Sequence, residues 1–210
     1  MSILENMSEL LKKGKAKDLR VLVQEALDSG MSAQKILDEG LLKGMAELGV
    51  LFKNNQVYVP EVLIAARALN AATGVIKEKL VEEGVEPIGK VVIGTVKGDL
   101  HDIGKNLVKM MLEGAGFAVI DLGVDLHEDQ IVEAVKEHKP QILCLSALLT
   151  TTMNQQGVVI QALHSAGLRD KVKVMIGGAP ITQTFCEQIG ADAYTPDAAT
   201  AAEVAKTFIS

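Results

Sequence analysis

No tryptophan occurs in this chain, and aromatic residues make up only 3% of it although hydrophobic residues make up 48%. Its core must therefore be aliphatic, built from Val, Ile, Leu, Ala and Met. Two cysteines, Cys144 and Cys186, are too few for a disulfide framework. Basic residues are outnumbered, 21 Lys and Arg against 27 Asp and Glu, for a formal net charge of −6. That balance argues against a nucleic-acid partner. No apolar run approaches the ~20 residues needed to span a bilayer. The amino terminus, Met1-Ser2-Ile3-Leu4-Glu5-Asn6, lacks the basic-then-apolar order of a signal peptide. The expectation is a cytoplasmic protein with no membrane partner. Internal repeats and low-complexity segments are also absent.

At 210 residues the chain can form one large domain or two small ones, each with a real core. Residues 1–84 carry helix signals and no convincing strand. Ile3, Leu4, Met7, Leu10 and Leu11 recur at helical spacing before a stop at Gly14. Leu19, Leu22, Val23, Ala26 and Leu27 recur likewise, up to Ser29-Gly30. Ser32 caps a third helix carrying Ile36, Leu37, Leu41, Met45 and Leu48, which breaks at Asn54-Asn55. Pro60 begins a fourth, where its missing N–H costs nothing. Four such helices with short links predict a bundle. The stretch Gly84-Val85-Glu86-Pro87-Ile88-Gly89-Lys90 reads as a linker and a candidate hinge. From 90 to 210 the pattern alternates. Strands are expected at 91–96, 117–122, 141–147, 172–176 and near Ala193-Tyr194. Helices are expected at 104–115, 127–138, 152–166, 181–189 and 198–208. The class is α/β: a five-stranded parallel sheet of the flavodoxin-like kind, preceded by the helical bundle.

The chemistry concentrates in Gly98-Asp99-Leu100-His101-Asp102-Ile103-Gly104-Lys105-Asn106. This stretch leaves the strand Val91–Val96 and opens a helix, which is where α/β folds place ligands. A phosphate-binding loop needs four residues before Gly-Lys and then Ser or Thr. Here five residues separate Gly98 from Gly104, and Asn106 follows Lys105. No Gly-x-Gly-x-x-Gly is present either. Asp99 and His101, two apart, suit a carboxylate that holds one imidazole nitrogen while the other faces a ligand or metal. Zinc is a poor rival, because His127, His138 and His164 pair with no cysteine at ligand spacing. A single-His metal site implies that a macrocycle supplies the other ligands.

Asp99-x-His101-x-x-Gly104 resembles the Asp-x-His-x-x-Gly signature of cobalamin-binding domains. Ser146-x-Leu148, followed by Thr150, matches that family's second motif, and Gly177-Gly178 its third. Leu51-Phe52 through Tyr58-Val59-Pro60-Glu61 is similar to the helical cap of methionine synthase and of corrinoid carrier proteins. The resemblance covers nearly the whole chain, from the third helix on. It implies that His101 is the lower ligand to cobalt in a bound cobalamin, methylcobalamin or a related corrinoid. Asp99 would orient His101, and Thr152 would stand where methionine synthase places a Ser that extends the His–Asp hydrogen bonds. Gly98, Leu100, Asp102, Ile103 and Gly104 would border the cofactor. Ser146, Leu148, Thr150, Gly177 and Gly178 would line the slot for its displaced nucleotide tail, with the segment up to Ala198 closing it. Phe52 and Val59 would cover the upper face, with Val59 replacing a bulkier Leu of methionine synthase.

The implied function is that of a corrinoid protein in a multi-component methyltransferase system. It would carry a methyl group on cobalt from a substrate-specific corrinoid methyltransferase to a second methyltransferase with a folate or thiol acceptor. A reductive activase would be a third partner. Methanol, methylamines, betaines and aromatic methyl ethers are donors served by similar carriers, and the sequence does not choose among them. Two other functions share the cobalamin domain. A small subunit of an adenosylcobalamin mutase would not need the helical bundle with Phe52 and Val59. A cobalamin- or light-sensing regulator would normally need an output domain, for which the chain has no basic helix-turn-helix.

Overall fold

Ser2 starts the first helix with a reciprocal cap: its Oγ accepts from Glu5 N–H at 3.2 Å, and the Glu5 carboxylate accepts from Ser2 N–H at 2.6 Å. The computed structural model that shows this describes residues 2–209. Helix α1 spans Ile3–Lys12 and α2 spans Ala16–Asp28. The expected third helix is a continuous run over 33–53 in three parts. These are α3 (Ala33–Lys35), a π-helical stretch (Ile36–Leu42) and α4 (Lys43–Lys53). The π stretch explains the uneven spacing of its apolar residues. Bonding from i to i+5 brings residues five apart towards one face, and Ile36 and Leu41 are both fully buried. Where α1 meets this run, Gly44 leaves no room for a side chain: a Cβ there would lie 2.8 Å from Ser8 Oγ. Helix α5 spans Val59–Glu82, with Pro60 in its first turn. The Glu83 carboxylate, just past its end, accepts from the N–H groups of Ala33 and Gln34 at 3.0 and 3.1 Å. It thereby caps α3 and ties the two ends together.

Helix α5 is long and apolar enough, by length and composition, to cross a membrane. Its apolar residues Val62, Ala65, Ala68, Leu69, Ala72 and Ile76 are buried among the bundle helices.

The chain divides into two compact units. One holds the chain through Pro87 and the short segment Gly114–Gly116; the other holds Ile88–Glu113 and the chain from Phe117. The second unit is a five-stranded parallel sheet in the order β2-β1-β3-β4-β5, the flavodoxin-like order. The strands are β1 (Lys90–Thr95), β2 (Ala118–Asp121), β3 (Ile142–Ser146), β4 (Lys173–Gly177) and β5 (Ala193–Tyr194). The helices are α6 (Ile103–Gly114), α7 (Glu128–His138), α8 (Asn154–Ser165), α9 (Gln183–Ile189) and α10 (Ala198–Thr207), with a short 3₁₀ turn at Arg169–Lys171. Most expected boundaries hold within a residue or two. Thr152, expected inside a helix, lies in the turn before α8.

The three central strands, β1, β3 and β4, are buried on both faces, as parallel sheets covered by helices are. Val92, Leu143, Leu145, Val174 and Ile176 join one core with Ile131, Val135, Val159, Leu163 and Phe185 from the helices. The alternate residues Val91, Ile93, Ile142, Cys144 and Met175 are buried as well. Strand order reverses direction between β1 and β3, so the loops after these strands diverge and open a crevice at their carboxyl ends.

Candidate functional site

The loop after β1 carries Asp99, whose side chain is 0% exposed, and His101, whose side chain is 50% exposed. Burying a carboxylate is costly unless it is paired, and Asp99 is fully paired. Oδ1 accepts from His101 Nδ1 at 2.7 Å and from His101 N–H at 3.1 Å. Oδ2 accepts from Leu148 N–H at 2.7 Å and from Thr152 Oγ1 at 2.7 Å. Burial on its own would raise the Asp99 pKa. The bonds from Thr152, Leu148 and His101 outweigh it and hold the carboxyl well below the usual carboxylate range. Asp99 is therefore an acceptor only. The 2.7 Å contact requires the proton on Nδ1, so the neutral ring keeps its lone pair on Nε2.

The loop itself is pinned from two sides. Thr95 Oγ1 donates to the His101 carbonyl at 2.9 Å. Asp125, in the loop after β2, accepts from Gly98 N–H at 2.7 Å through its carboxylate, and its own N–H donates to the Asp99 carbonyl at 3.0 Å. Gly98 adopts φ +79, which favours glycine. At the start of α6, Asn106 donates to the Asp102 carboxylate at 3.1 Å. Lys105, buried, donates to Asp121 at 2.6 Å and to Asn106 at 2.9 Å. Burial again opposes the charged form of Asp121, but bonds from Lys105 and from Gly123 N–H hold its pKa down.

Around His101 the surface is apolar yet exposed: Leu100 is 71% exposed and Ile103 77%. Leu148 and Leu149, after β3, are also exposed. The Leu148 N–H serves Asp99. Ser146 closes β3, and Thr150 lies in the exposed turn beyond it. The two glycines after β4 differ. Gly178 has φ +133 and a Cβ there would collide with the Ala147 backbone, so the protein itself needs glycine. A Cβ on Gly177 would make only ordinary contact with the Thr195 carbonyl at 3.5 Å, and one on Gly104 would meet nothing within 4 Å. Asp197 caps α10 by accepting from Thr200 N–H at 2.8 Å, and Ala198 after it is buried. Phe52 on α4 and Val59, the first residue of α5, are half-buried in the helical unit.

Among the described residues no group of three or more His, Cys, Asp or Glu could hold a metal ion. A metal bound through His101 must bring most of its ligands with it. The donor set fits a planar macrocyclic metal complex: one imidazole with its rear nitrogen clamped, exposed aliphatic side chains beside it, and a glycine whose missing Cβ leaves open space.

Comparison with known proteins agrees. The B12 binding domain family matches residues 89–205, and a second family of the same description matches residues 3–77. This chain belongs to the B12-binding corrinoid protein family. It is 45% identical over 175 residues to trimethylamine corrinoid protein 1 of Methanosarcina acetivorans, covering 82% of this chain and 81% of that one. It is 40% identical over 209 residues to dimethylamine corrinoid protein 1 of Methanosarcina mazei, covering 99% and 96%. Among solved structures, the methanol:cobalamin methyltransferase complex MtaBC of Methanosarcina barkeri matches with a TM-score of 0.89 at 30% identity, over 99% of this chain and 79% of that one. A cobalamin-binding protein of Desulfitobacterium hafniense matches with a TM-score of 0.82 at 31% identity, over 99% and 98%. The cofactor of this B12-binding protein is accordingly a cobalamin or related corrinoid.

Sequence reading brought together Asp99, His101 and Thr152, and the structure sets them in one hydrogen-bonded chain. It missed Thr95, Asp125, the Leu148 N–H in this network and the Lys105–Asp121 pair. A lone hydroxyl at the end of an apolar strand was the one available signal for Thr95. Nothing in the sequence pointed to Asp125. Gln156 was also missed. Its amide donates to the carbonyls of Leu145 and Gly177 at 3.0 and 3.1 Å, stitching β3 to β4, while its buried Oε1 has no partner among the described residues.

Proposed function

We propose that this protein is the methyl-carrying corrinoid subunit of a cytoplasmic methyltransferase system, in which His101 would hold the cobalt through Nε2. The observation that carries this reading is the clamped imidazole. An ionised, buried Asp99 fixes Nδ1–H and leaves the Nε2 lone pair on the half-exposed side. A bound corrinoid supplies the cobalt that accepts and releases a methyl group, chemistry that no side chain offers.

The residues divide the remaining work. Asp99 orients the ring by holding its Nδ1–H. Thr152 and Leu148 N–H hold Asp99 ionised, so a proton entering the pair resides on the imidazole and not on the carboxylate. Leu100 and Ile103 would lie against the macrocycle and keep water away, and Gly104 would let it approach the backbone. Gly98 and Asp102 hold the loop that presents them. Ser146, Leu148, Thr150, Gly177, Gly178 and Ala198 would border the nucleotide tail of the bound corrinoid.

The partners would be a substrate-specific corrinoid methyltransferase, a second methyltransferase with a folate or thiol acceptor, and a reductive activase. Relatives at 40–45% identity are named for trimethylamine and dimethylamine, whereas the methanol complex is 30% identical. This favours a methylamine donor.

The test is His101→Ala in the full chain loaded with hydroxocobalamin. Loss of the imidazole-ligated optical spectrum, with weaker binding, is expected; a spectrum unchanged from wild type would refute the ligand role. Methyl transfer assayed with trimethylamine-, dimethylamine- and methanol-specific methyltransferases tests the donor. Transfer from the methanol enzyme alone would overturn that part.

A further inference from the structure

Thr95 ends β1 with a hydroxyl where the four residues before it, Val91-Val92-Ile93-Gly94, offer no polar side chain. It is fully buried. Its backbone is fixed on both sides, with N–H donating to the Gly123 carbonyl at 3.0 Å and its carbonyl accepting from Leu126 N–H at 3.1 Å. In the β1–β3 ladder it sits opposite Ser146. A β-branched side chain on a fixed strand has little χ1 freedom, so the direction of its O–H is set by the sheet. That O–H donates to the His101 carbonyl at 2.9 Å.

His101 offers the protein three handles: its N–H, its ring Nδ1–H and its carbonyl. The first two both end on Asp99 Oδ1. Two bonds converging on one oxygen define a pivot and not an orientation. A residue held only there can rock about that atom and sweep Nε2 through an arc. The third bond comes from a different element, the rigid end of β1, and removes that freedom.

We propose that Thr95 is a positioning residue for axial ligation, its hydroxyl setting the direction in which His101 Nε2 is offered to the metal. This rests on the reading of His101 as the axial ligand. Removing one hydrogen bond of this kind shifts an equilibrium by roughly three- to tenfold, and the shift falls on the ratio of His-ligated to unligated cofactor within the loaded protein.

The experiment compares wild type, Thr95→Val, Thr95→Ser and His101→Ala as full chains loaded with hydroxocobalamin. The readouts are the optical spectrum and, after one-electron reduction, nitrogen hyperfine splitting in the electron paramagnetic resonance spectrum. Circular dichroism of each unloaded chain reports folding. Thr95→Val should keep the fold and bind hydroxocobalamin, but its His-ligated fraction should drop, and Thr95→Ser should restore it. Should the valine variant fail to fold, Thr95→Ala against Thr95→Ser makes the same comparison. A His signature as complete in the hydroxyl-free variants as in wild type overturns the proposal while leaving His101 as the ligand. A wild-type spectrum identical to that of His101→Ala overturns the ligation reading and this proposal with it.

Discussion

Thr152 Oγ1 donates to Asp99 Oδ2 at 2.7 Å across 53 residues of sequence. The bond joins the loop after β3 to the loop after β1. Both residues are buried, so neither can substitute water for the lost partner. Thr152→Val removes the donor and keeps the shape. It should lower unfolding free energy by about 1.5–3 kcal/mol, the worth of one hydrogen bond to a charged group, since Leu148 N–H still serves Oδ2. Thr152→Ser should recover most of the loss. Denaturant midpoints of the unloaded chains measure both; equal midpoints for valine and wild type would show the bond contributes nothing.

The glycines separate fold from ligand. Gly104→Ala meets no protein atom within 4 Å, so its unfolding midpoint should match wild type while its affinity for hydroxocobalamin falls. Gly178→Ala needs a strained backbone and collides with the Ala147 backbone, so it should unfold at lower denaturant whether or not corrinoid is present. Affinity titration and denaturation of the two variants side by side check this. Unaltered affinity in Gly104→Ala would remove the argument that this position touches the cofactor.

Lys105 and Asp121 form a pair in which the lysine side chain is 2% exposed and the carboxylate 19%. Lys105→Met leaves Asp121 with Lys109 at 3.5 Å and Gly123 N–H as partners. A loss of about 2 kcal/mol is expected, below that of a fully buried pair because Asp121 keeps some access to water. The double variant Lys105→Met with Asp121→Leu should recover part of it, since the carboxylate is removed together with the buried lysine and only the part-exposed Lys109 loses a partner. A double variant less stable than the single one would contradict this account.

Stability should fall in acid. The pKa values of Asp99, Asp121 and Asp192 are all depressed in the folded protein, where hydrogen bonds to the charged form overcome the burial that would raise them. A depressed carboxylate binds its proton more readily in the unfolded chain. Its stabilisation is thus complete above the unfolded pKa of about 3.9 and is lost as pH drops through the lower folded values. Denaturant midpoints should hold steady from pH 7 to 5 and then decline towards pH 3. A flat profile down to pH 3 would contradict it.

Legibility in the sequence followed distance along the chain. Asp99 and His101 are two residues apart and share a loop, so their pairing could be inferred from spacing. Lys105 is in the same stretch, but its meaning depended on Asp121, which reaches it from a neighbouring strand. The third helix was legible as a helix from its apolar repeat. Its π stretch was not, because an apolar repeat marks a helix without telling i to i+4 from i to i+5 bonding; Ile36 and Leu41, five apart, are both buried. Gly177 and Gly178 look alike in sequence. Only the backbone angle and the closeness of Ala147 assign one to the turn and leave the other open to a ligand.

By itself the sequence determined the helical segment, the alternation that builds a parallel sheet, and the loop bearing an acceptor two residues before an imidazole. Those depend on periodicity and on neighbours within a few positions. Tertiary structure alone decided how that imidazole is aimed. Thr95, Asp125, Leu148 and Thr152 reach the loop from three other places in the chain. They converge because parallel strands in register end at one edge of the sheet, a property of the packed fold that no local pattern encodes.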